Sequence, residues 1–214
     1  MNRVLVIGDI HEPFCKTGYL EHCKAQYNAF KCNKVVFIGD IVDSHYSSFH
    51  ATDPDGLSAL DELTTSIKKL RKWYKVFPKA TVILGNHDRI VVRKCFAGGI
   101  SARWIRAYGD VLEVPGWNFV TDTIIDDVIY VHGEGGTAFK KAKEQFRSVV
   151  AGHTHTKCYI EYVNNVFGMQ VGCGVDKDSY AMAYAKNYTE PQIACGVVIN
   201  GNLPILIKMY EKNN

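Results

Sequence analysis

Three short apolar runs recur in the first half of the chain, at 3–7, 34–38 and 80–84, each rich in β-branched residues and each running into glycine. Runs of this length with this ending predict strands built for the core. Between them the pattern switches to a helical period. GYLEHCKAQYNAF brings Leu20, Cys23, Tyr27 and Phe30 to one side, and LSALDELTTSIKKLRKWYKVF sets Leu57, Leu60, Leu63, Ile67, Leu70 and Tyr74 on one face with lysines opposite. Strand, helix, strand, helix, strand predicts right-handed crossovers and a largely parallel sheet covered by helices.

After Asp88 the pattern loosens. RIVVRKCFAGGISARWIRAYGDVLEVPGW predicts two short helices around Gly98 and Gly99, and residues 89–116 are a candidate helical cap segment. Strands resume at VIYVHG (128–133) and SVVAGHTH (148–155), on either side of a basic helix, TAFKKAKEQF. The runs KCYIEYV, VFGMQVG, CGVVING and PILIKMY predict antiparallel hairpins, with turns at 164–165 and 201–202. No linker, repeat or low-complexity tract interrupts the pattern, so one domain over 1–214 is expected.

Composition narrows the classes. The 47% hydrophobic content suits a globular core, and a net charge of +3 with a pI near 8.4 is far from the dense positive field of a dedicated nucleic-acid binder. Seven cysteines without a C-x-x-C pair suggest neither a disulfide framework nor a thiolate zinc site, and predict free thiols in a reducing compartment. MNRVLVIGDIH lacks the long apolar region of a signal peptide, and no apolar run reaches membrane-spanning length. The expectation is a cytoplasmic protein without a membrane partner.

The chemistry collects at the strand ends, where functional groups gather in an open α/β sheet. Asp9 and His11 follow the first strand, Asp40 the second, and Asn86 and His87 the third. His132 follows VIYV, and His153 and His155 follow SVVAG, so five of the eight histidines lie at such ends. Two aspartates, an asparagine and four imidazoles form a mixed oxygen and nitrogen set. It suits manganese, iron, zinc or nickel better than calcium. Seven candidates exceed what one ion takes, which predicts two ions bridged by one carboxylate. Two ions about 3.5–4 Å apart clamp a phosphoryl group and turn a bridging water into hydroxide near neutral pH.

In this order, GDIHEP, GDIVD, GNHD, VHG and AGHTH resemble the five motifs of the calcineurin-like metallophosphoesterase superfamily, over residues 8 to 155. The resemblance implies an α/β fold, a four-layer α/β/β/α sandwich of mixed sheets with its metal site at the strand ends. Position by position it implies that Asp9, His11 and His155 hold the first metal, that Asn86, His132 and His153 hold the second, and that Asp40 bridges them. His87 then faces substrate as general acid or charge stabiliser. Asp43 matches the carboxylate that orients this histidine in the phosphoprotein phosphatase branch. Two departures stand against that branch: the D-R-G arginine after the second motif is absent, and the third motif reads GNHD, as in phosphodiesterase and repair-nuclease branches.

Other polar positions have plainer readings. Asp88 reads as local structure, His22 as surface or core, and HGEGG as a turn into the following helix, since no G-K-[ST] ending makes it a Walker motif. His45 and His50 sit in a loop that could line the substrate mouth, and Arg89 and Arg93 follow directly on the third motif. The basic run at 68–75 reads as a solvated helix face.

The function expected is a dinuclear metal-dependent phosphoester hydrolase using a metal-bridging hydroxide, with two divalent ions, manganese foremost and iron, zinc or nickel as alternatives. The favoured form is a phosphodiesterase acting on a nucleotide or nucleic acid. The alternative is a phosphomonoesterase, including a protein serine/threonine phosphatase, and a third reading from another class is a noncatalytic binding scaffold.

Overall fold

A computed structural model describes residues 1–49, 52–180 and 190–210. Eleven strands build two sheets. The first has the order β11-β10-β1-β2-β3-β4, where β1 is Arg3–Ile7, β2 Lys34–Phe37, β3 Ala80–Ile83, β4 Trp117–Val120, β10 Ala194–Ile199 and β11 Leu203–Lys208. Strands β1 to β4 run parallel, and β10 and β11 close the far side antiparallel. The second sheet has the order β5-β6-β7-β9-β8, from β5 (Asp122–Ile125), β6 (Val128–Val131), β7 (Ser148–Ala151), β8 (Cys158–Val163) and β9 (Val166–Val171).

The period-two alternation of β1 and β2 explains the layering. Leu5, Ile7, Val35 and Phe37 point to one side, where α1 (Tyr19–Ala29) and α2 (Ala59–Val76) pack with Tyr19, Cys23, Leu70 and Trp73. Val4, Val6, Val36 and Ile38 point to the other, against Val128, Tyr130, Val150, Phe167 and Met169 of the second sheet. Strands buried on both faces read as unbroken apolar runs, which is how VLVI and VVFI appear in the sequence. On the outer face of the second sheet, Ala138 and Ala142 of α5 (Ala138–Gln145) meet Ile129, Val149 and Ala151. The result is the expected four-layer α/β/β/α sandwich.

Three expectations need correction. Leu57 precedes α2 and Leu60 is 73% exposed, whereas Leu63, Ile67, Leu70 and Tyr74 pack against the core as expected; the fully buried positions of that helix are Glu62, Ser66, Leu70 and Trp73. The first half of α2 covers polar loops at the strand ends and not the apolar sheet, so polar residues take its buried positions. Strands β4 and β5 lie in a stretch where none was expected. Their turn partner is Asp126–Asp127, both at positive φ, which joins β5 to β6 as a tight hairpin. Segment 89–116 holds α3 (Ile90–Ala97), a 3-10 turn at Ala102–Trp104 and the single turn α4 (Tyr108–Val111), so the second short helix after Gly98 is no more than a turn. The hairpins at 164–165 and around Gly201 are observed, with Asn164, Asn200 and Gly201 all at positive φ. All seven cysteines are free thiols, and no helix among the described residues is long and apolar enough to cross a membrane.

Candidate metal centre

The parallel strands of both sheets end at the same edge of the sandwich. There the first sheet delivers Asp9 and His11 after β1, Asp40 after β2 and Asn86 after β3. The second delivers His132 after β6 and His153 and His155 after β7. Their ligand atoms converge in two groups. Asp9, His11, Asp40 and His155 each offer an atom within 4.8 Å of the others, and so do Asp40, His132 and His153. Asn86 joins the second group, with its Oδ1 2.9 Å from His132 Nε2. Asp40 belongs to both.

The polarity of these contacts is what a cation requires. His132 Nδ1 lies 3.0 Å from the Ile38 carbonyl, so that nitrogen carries the proton and the Nε2 lone pair is left to face Asp40 Oδ2 at 3.1 Å and Asn86 Oδ1. His11 Nδ1 sits 2.7 Å from Asp43 Oδ1, which leaves Nε2 as an acceptor. That Nε2 and Asp9 Oδ1 are both buried without a hydrogen-bond partner. Buried acceptors facing acceptors are costly unless a proton or a metal ion lies between them. The residues therefore fit divalent cations. Without one, protons substitute. Burial opposes charge on both Asp40 and His132, yet their mutual attraction wins, holding the Asp40 carboxyl well below the usual range and lifting His132 to about 10. His153 is depressed by burial and by the charge on His132.

Backbone geometry fixes these atoms at some conformational cost. His11, Asp40 and His153 all adopt positive φ, a region side-chain-bearing residues seldom enter and which clusters at functional sites. The motif glycines make room. A Cβ at Gly85 would fall 2.0 Å from Asp40 Oδ1, and one at Gly152 would fall 2.2 Å from Asp9 Oδ1. Each glycine is thus the space into which another strand's carboxylate packs.

Several neighbours hold the loops. Asp88 accepts from the amides of Asp40 (2.8 Å), Ile41 (2.9 Å) and Gly85 (2.9 Å) and from the Tyr108 hydroxyl (2.9 Å), tying three segments together. Asp43 pairs most closely with His11. The His87 ring, 20% exposed, lies 3.7 Å from the Asp43 carboxylate, and its Nδ1 donates to the Asp43 main-chain carbonyl. Burial disfavours the His87 imidazolium, but Asp40 and Asp43 outweigh it and raise its pKa. His45 is buried, and its Nε2 accepts from the Asp53 amide at 3.0 Å. Arg89 donates to the Gly85 carbonyl at 3.0 Å and pairs with Glu134, whereas Arg93 lies on the surface over the Phe49 ring. His50 lies outside the described residues.

Sequence reasoning missed Glu12 and Glu62. Glu12 accepts from Trp73 Nε1 at 2.9 Å beneath the first motif. Glu62 reaches from α2 to the amides of His45 (2.9 Å) and Tyr46 (3.4 Å); burial, then the nearby Asp43 charge, push its pKa up to about 7. The signal was present: a glutamate and a serine four residues apart in register with Leu70.

The family model described as calcineurin-like phosphoesterase matches residues 2–157. Among solved structures, an archaeal phosphodiesterase is 16% identical, with 97% of this chain and 99% of that chain covered and a TM-score of 0.50. The E. coli phosphoesterase YfcE is 14% identical over 92% of this chain and 88% of that one, with a TM-score of 0.47. Vacuolar protein sorting 29 from Cryptosporidium parvum is 15% identical over 98% of each, with a TM-score of 0.48. At these identities the likeness is one of fold. No curated protein matches the chain.

Proposed function

Since this chain belongs to the calcineurin-like phosphoesterase family, we propose that it hydrolyses phosphodiesters of nucleotides or nucleic acid with two divalent cations, manganese foremost. The observation that carries the reading is Asp40. Its carboxylate is shared by two clusters of acceptors, most of them buried, in which His11 Nε2 and Asp9 Oδ1 have no hydrogen-bond partner. Asp9, His11 and His155 would hold one cation and Asn86, His132 and His153 the other, with Asp40 between. Bound there, such ions supply charge neutralisation at phosphorus and a nucleophile drawn from water at neutral pH.

The remaining roles belong to side chains. With Nδ1 engaged by the Asp43 carbonyl, His87 presents Nε2 to the leaving oxygen and gives it a proton. The Asp40 and Asp43 carboxylates favour the protonated ring, against the opposing effect of burial. Asp43 also orients His11, as outer partners commonly do for ligating imidazoles. Arg93, with an exposed guanidinium, is assigned to a substrate phosphate. Arg89 and His45, engaged within the protein, are assigned to holding the mouth of the site. A phosphomonoesterase is the second reading, favoured by the Asp43 carboxylate beside His87.

Hydrolysis of bis-p-nitrophenyl phosphate and of p-nitrophenyl phosphate, with added manganese, separates the two. The expected result is preference for the diester, lowered about 10²- to 10⁴-fold in kcat by His87→Ala. Preference for the monoester would replace the first reading with the second. Absence of metal-dependent turnover of either would favour a noncatalytic scaffold.

A further inference from the structure

The segment that follows the third motif leaves much of its side-chain surface uncovered among the described residues. Between Asp88 and Asp110 there are five cations, Arg89, Arg93, Lys94, Arg103 and Arg106, and no acid. Arg93, Lys94, Arg103 and Arg106 form no ion pair among the described residues, and only Arg89 has one, with Glu134. Apolar side chains are interleaved with them. Phe96 and Trp104 are 84% and 86% exposed, and Ile100, Val91 and Val92 are about half exposed. A surface this apolar and this basic is far from the mild average implied by a net charge of +3.

The surface is continuous with the metal centre. Lys94 Nζ donates to the Ser48 carbonyl at 3.1 Å, Arg93 and Lys94 both lie over the Phe49 ring, and Tyr46 beside them is 58% exposed. At its other end the Tyr108 hydroxyl reaches Asp88. A polyanion lying on this face would have phosphates near the strand ends.

Three kinds of occupant fit an apolar and basic face, and charge and shape choose between them. A second copy would bring four unpaired cations against four, a like-charge juxtaposition that costs binding energy. An anionic membrane takes a longer amphipathic helix laid in its interface, whereas here the longest helix of the segment, α3, has eight residues and is followed by a 3-10 turn and a single turn. Isolated rings set among arginines are the composition of a single-strand binding face, where bases stack on the rings and phosphates meet the cations. We propose that the exposed face of residues 91–106 docks single-stranded nucleic acid and feeds a phosphodiester to the metal centre. The feeding step rests on the phosphodiesterase reading above; the docking does not.

The test uses the full chain with manganese, the oligonucleotide dT15 as probe, and the surface variants Phe96→Ala, Trp104→Ala and Arg103→Ala. Trp73 and Trp117 are buried, so Trp104 dominates solvent-accessible tryptophan emission. Addition of dT15 should quench it, whether or not the strand is cut. Each ring removed should weaken dT15 binding roughly tenfold, read for every variant by the anisotropy of fluorescein-labelled dT15 because Trp104→Ala loses the emission. Arg103→Ala should lower the slope of log Kd against log salt by about 1. Turnover of bis-p-nitrophenyl phosphate, too small to reach the cap, should stay unchanged in all three. Absence of quenching, or dT15 affinity indifferent to the variants, would overturn the proposal while leaving diester hydrolysis standing. Quenching weakened by Phe96→Ala and Arg103→Ala, which keep the Trp104 emission, in a protein that hydrolyses no diester, would support docking and remove the phosphodiesterase reading. Binding to phosphatidylserine vesicles lost in Trp104→Ala without dT15 binding, or a dimer dispersed by Phe96→Ala, would assign the face to a membrane or a second copy instead.

Discussion

At the scale of single residues, Gly85 and Gly152 do what no residue with a side chain could. Each leaves the volume in which a carboxylate oxygen from a neighbouring strand sits, at 2.0 Å and 2.2 Å from the missing Cβ. Gly85→Ala and Gly152→Ala should therefore displace Asp40 and Asp9, and should also lower stability, because the added methyls would meet the Asp40 amide nitrogen at 2.6 Å and the core Ile38 Cγ2 at 2.4 Å. Manganese affinity by calorimetry should fall at least 10- to 100-fold, about the loss seen when a metal ligand's support is removed, with unchanged far-ultraviolet circular dichroism. Glu62 makes a second residue-scale prediction. Its pKa rises from an ordinary 4.5 to about 7 on folding, so the native state binds the extra proton in between. Stability should be greatest at the acid end of that window and fall as pH rises through it, by at most about 1.4 kcal/mol per pH unit. Urea midpoints of metal-free protein across pH 4.5–7 measure this, and Glu62→Gln should flatten the slope; an unaltered slope would mean another group titrates. The clustering of these side chains was legible in the sequence because strand-end chemistry is local: an acid two residues beyond a β-branched run has few places to go. Glu12, Glu62 and the Asp43–His11 pairing were not, since each depends on which loop a side chain meets across the fold.

At the scale of elements, α2 is a helix with two halves. Leu70 and Trp73 lie on the first sheet, while Glu62 and Ser66 lie over loops of the site, and the helix is entered through Ser58, whose hydroxyl accepts from the Asp61 amide at 3.2 Å. Ser58→Ala should cost about 1 kcal/mol in chemical denaturation. Leu70→Ala, in the apolar half, should cost about 2–5 kcal/mol. Segment 89–116 is tied back to the strand-end loops by several contacts, and the buried Asp88 is reached by one of them, the Tyr108 hydroxyl at the start of α4. Tyr108→Phe should lower global stability by about 1 kcal/mol. It should also raise amide exchange in α3 and α4 more than elsewhere, because so few other side chains of the cap are buried. Helical periodicity exposed α1, α2 and α5 to a sequence reading. It placed Leu63, Ile67, Leu70 and Tyr74 correctly and missed only Leu57 and Leu60, and the buried Glu62 and Ser66, because the apolar count ignored what the start of the helix would cover. Strands β4 and β5 escaped because their alternation is short and their turn, Asp126–Asp127, is not the Asn-Gly or Asp-Gly pair that marks most tight hairpins.

At the scale of the whole molecule, the ligands come from both sheets, so cations bound between them would tie the sheets together at one edge. Manganese at a hundredfold excess over Kd should stabilise the protein by about 2.7 kcal/mol per site. That corresponds to a rise in Tm of roughly 5–10 °C per site for a chain of this size, reversed by chelation, in a thermal melt followed by fluorescence. A melt indifferent to manganese would remove the cations from the site. The pairing of β1 has a different reach. Its two neighbours are β2, made soon after it, and β10, where Ile7 meets Cys195. At about 5–20 residues per second on a ribosome, that partner arrives roughly 10–40 s later. Every motif of the metal centre is synthesised before then, yet the strand that carries Asp9 keeps an open, apolar edge. A nascent chain halted after residue 157 would hold every strand-end motif and lack the strands β10 and β11 that close the β1 edge, so such a truncation should aggregate where the full chain stays in solution, as light scattering would read.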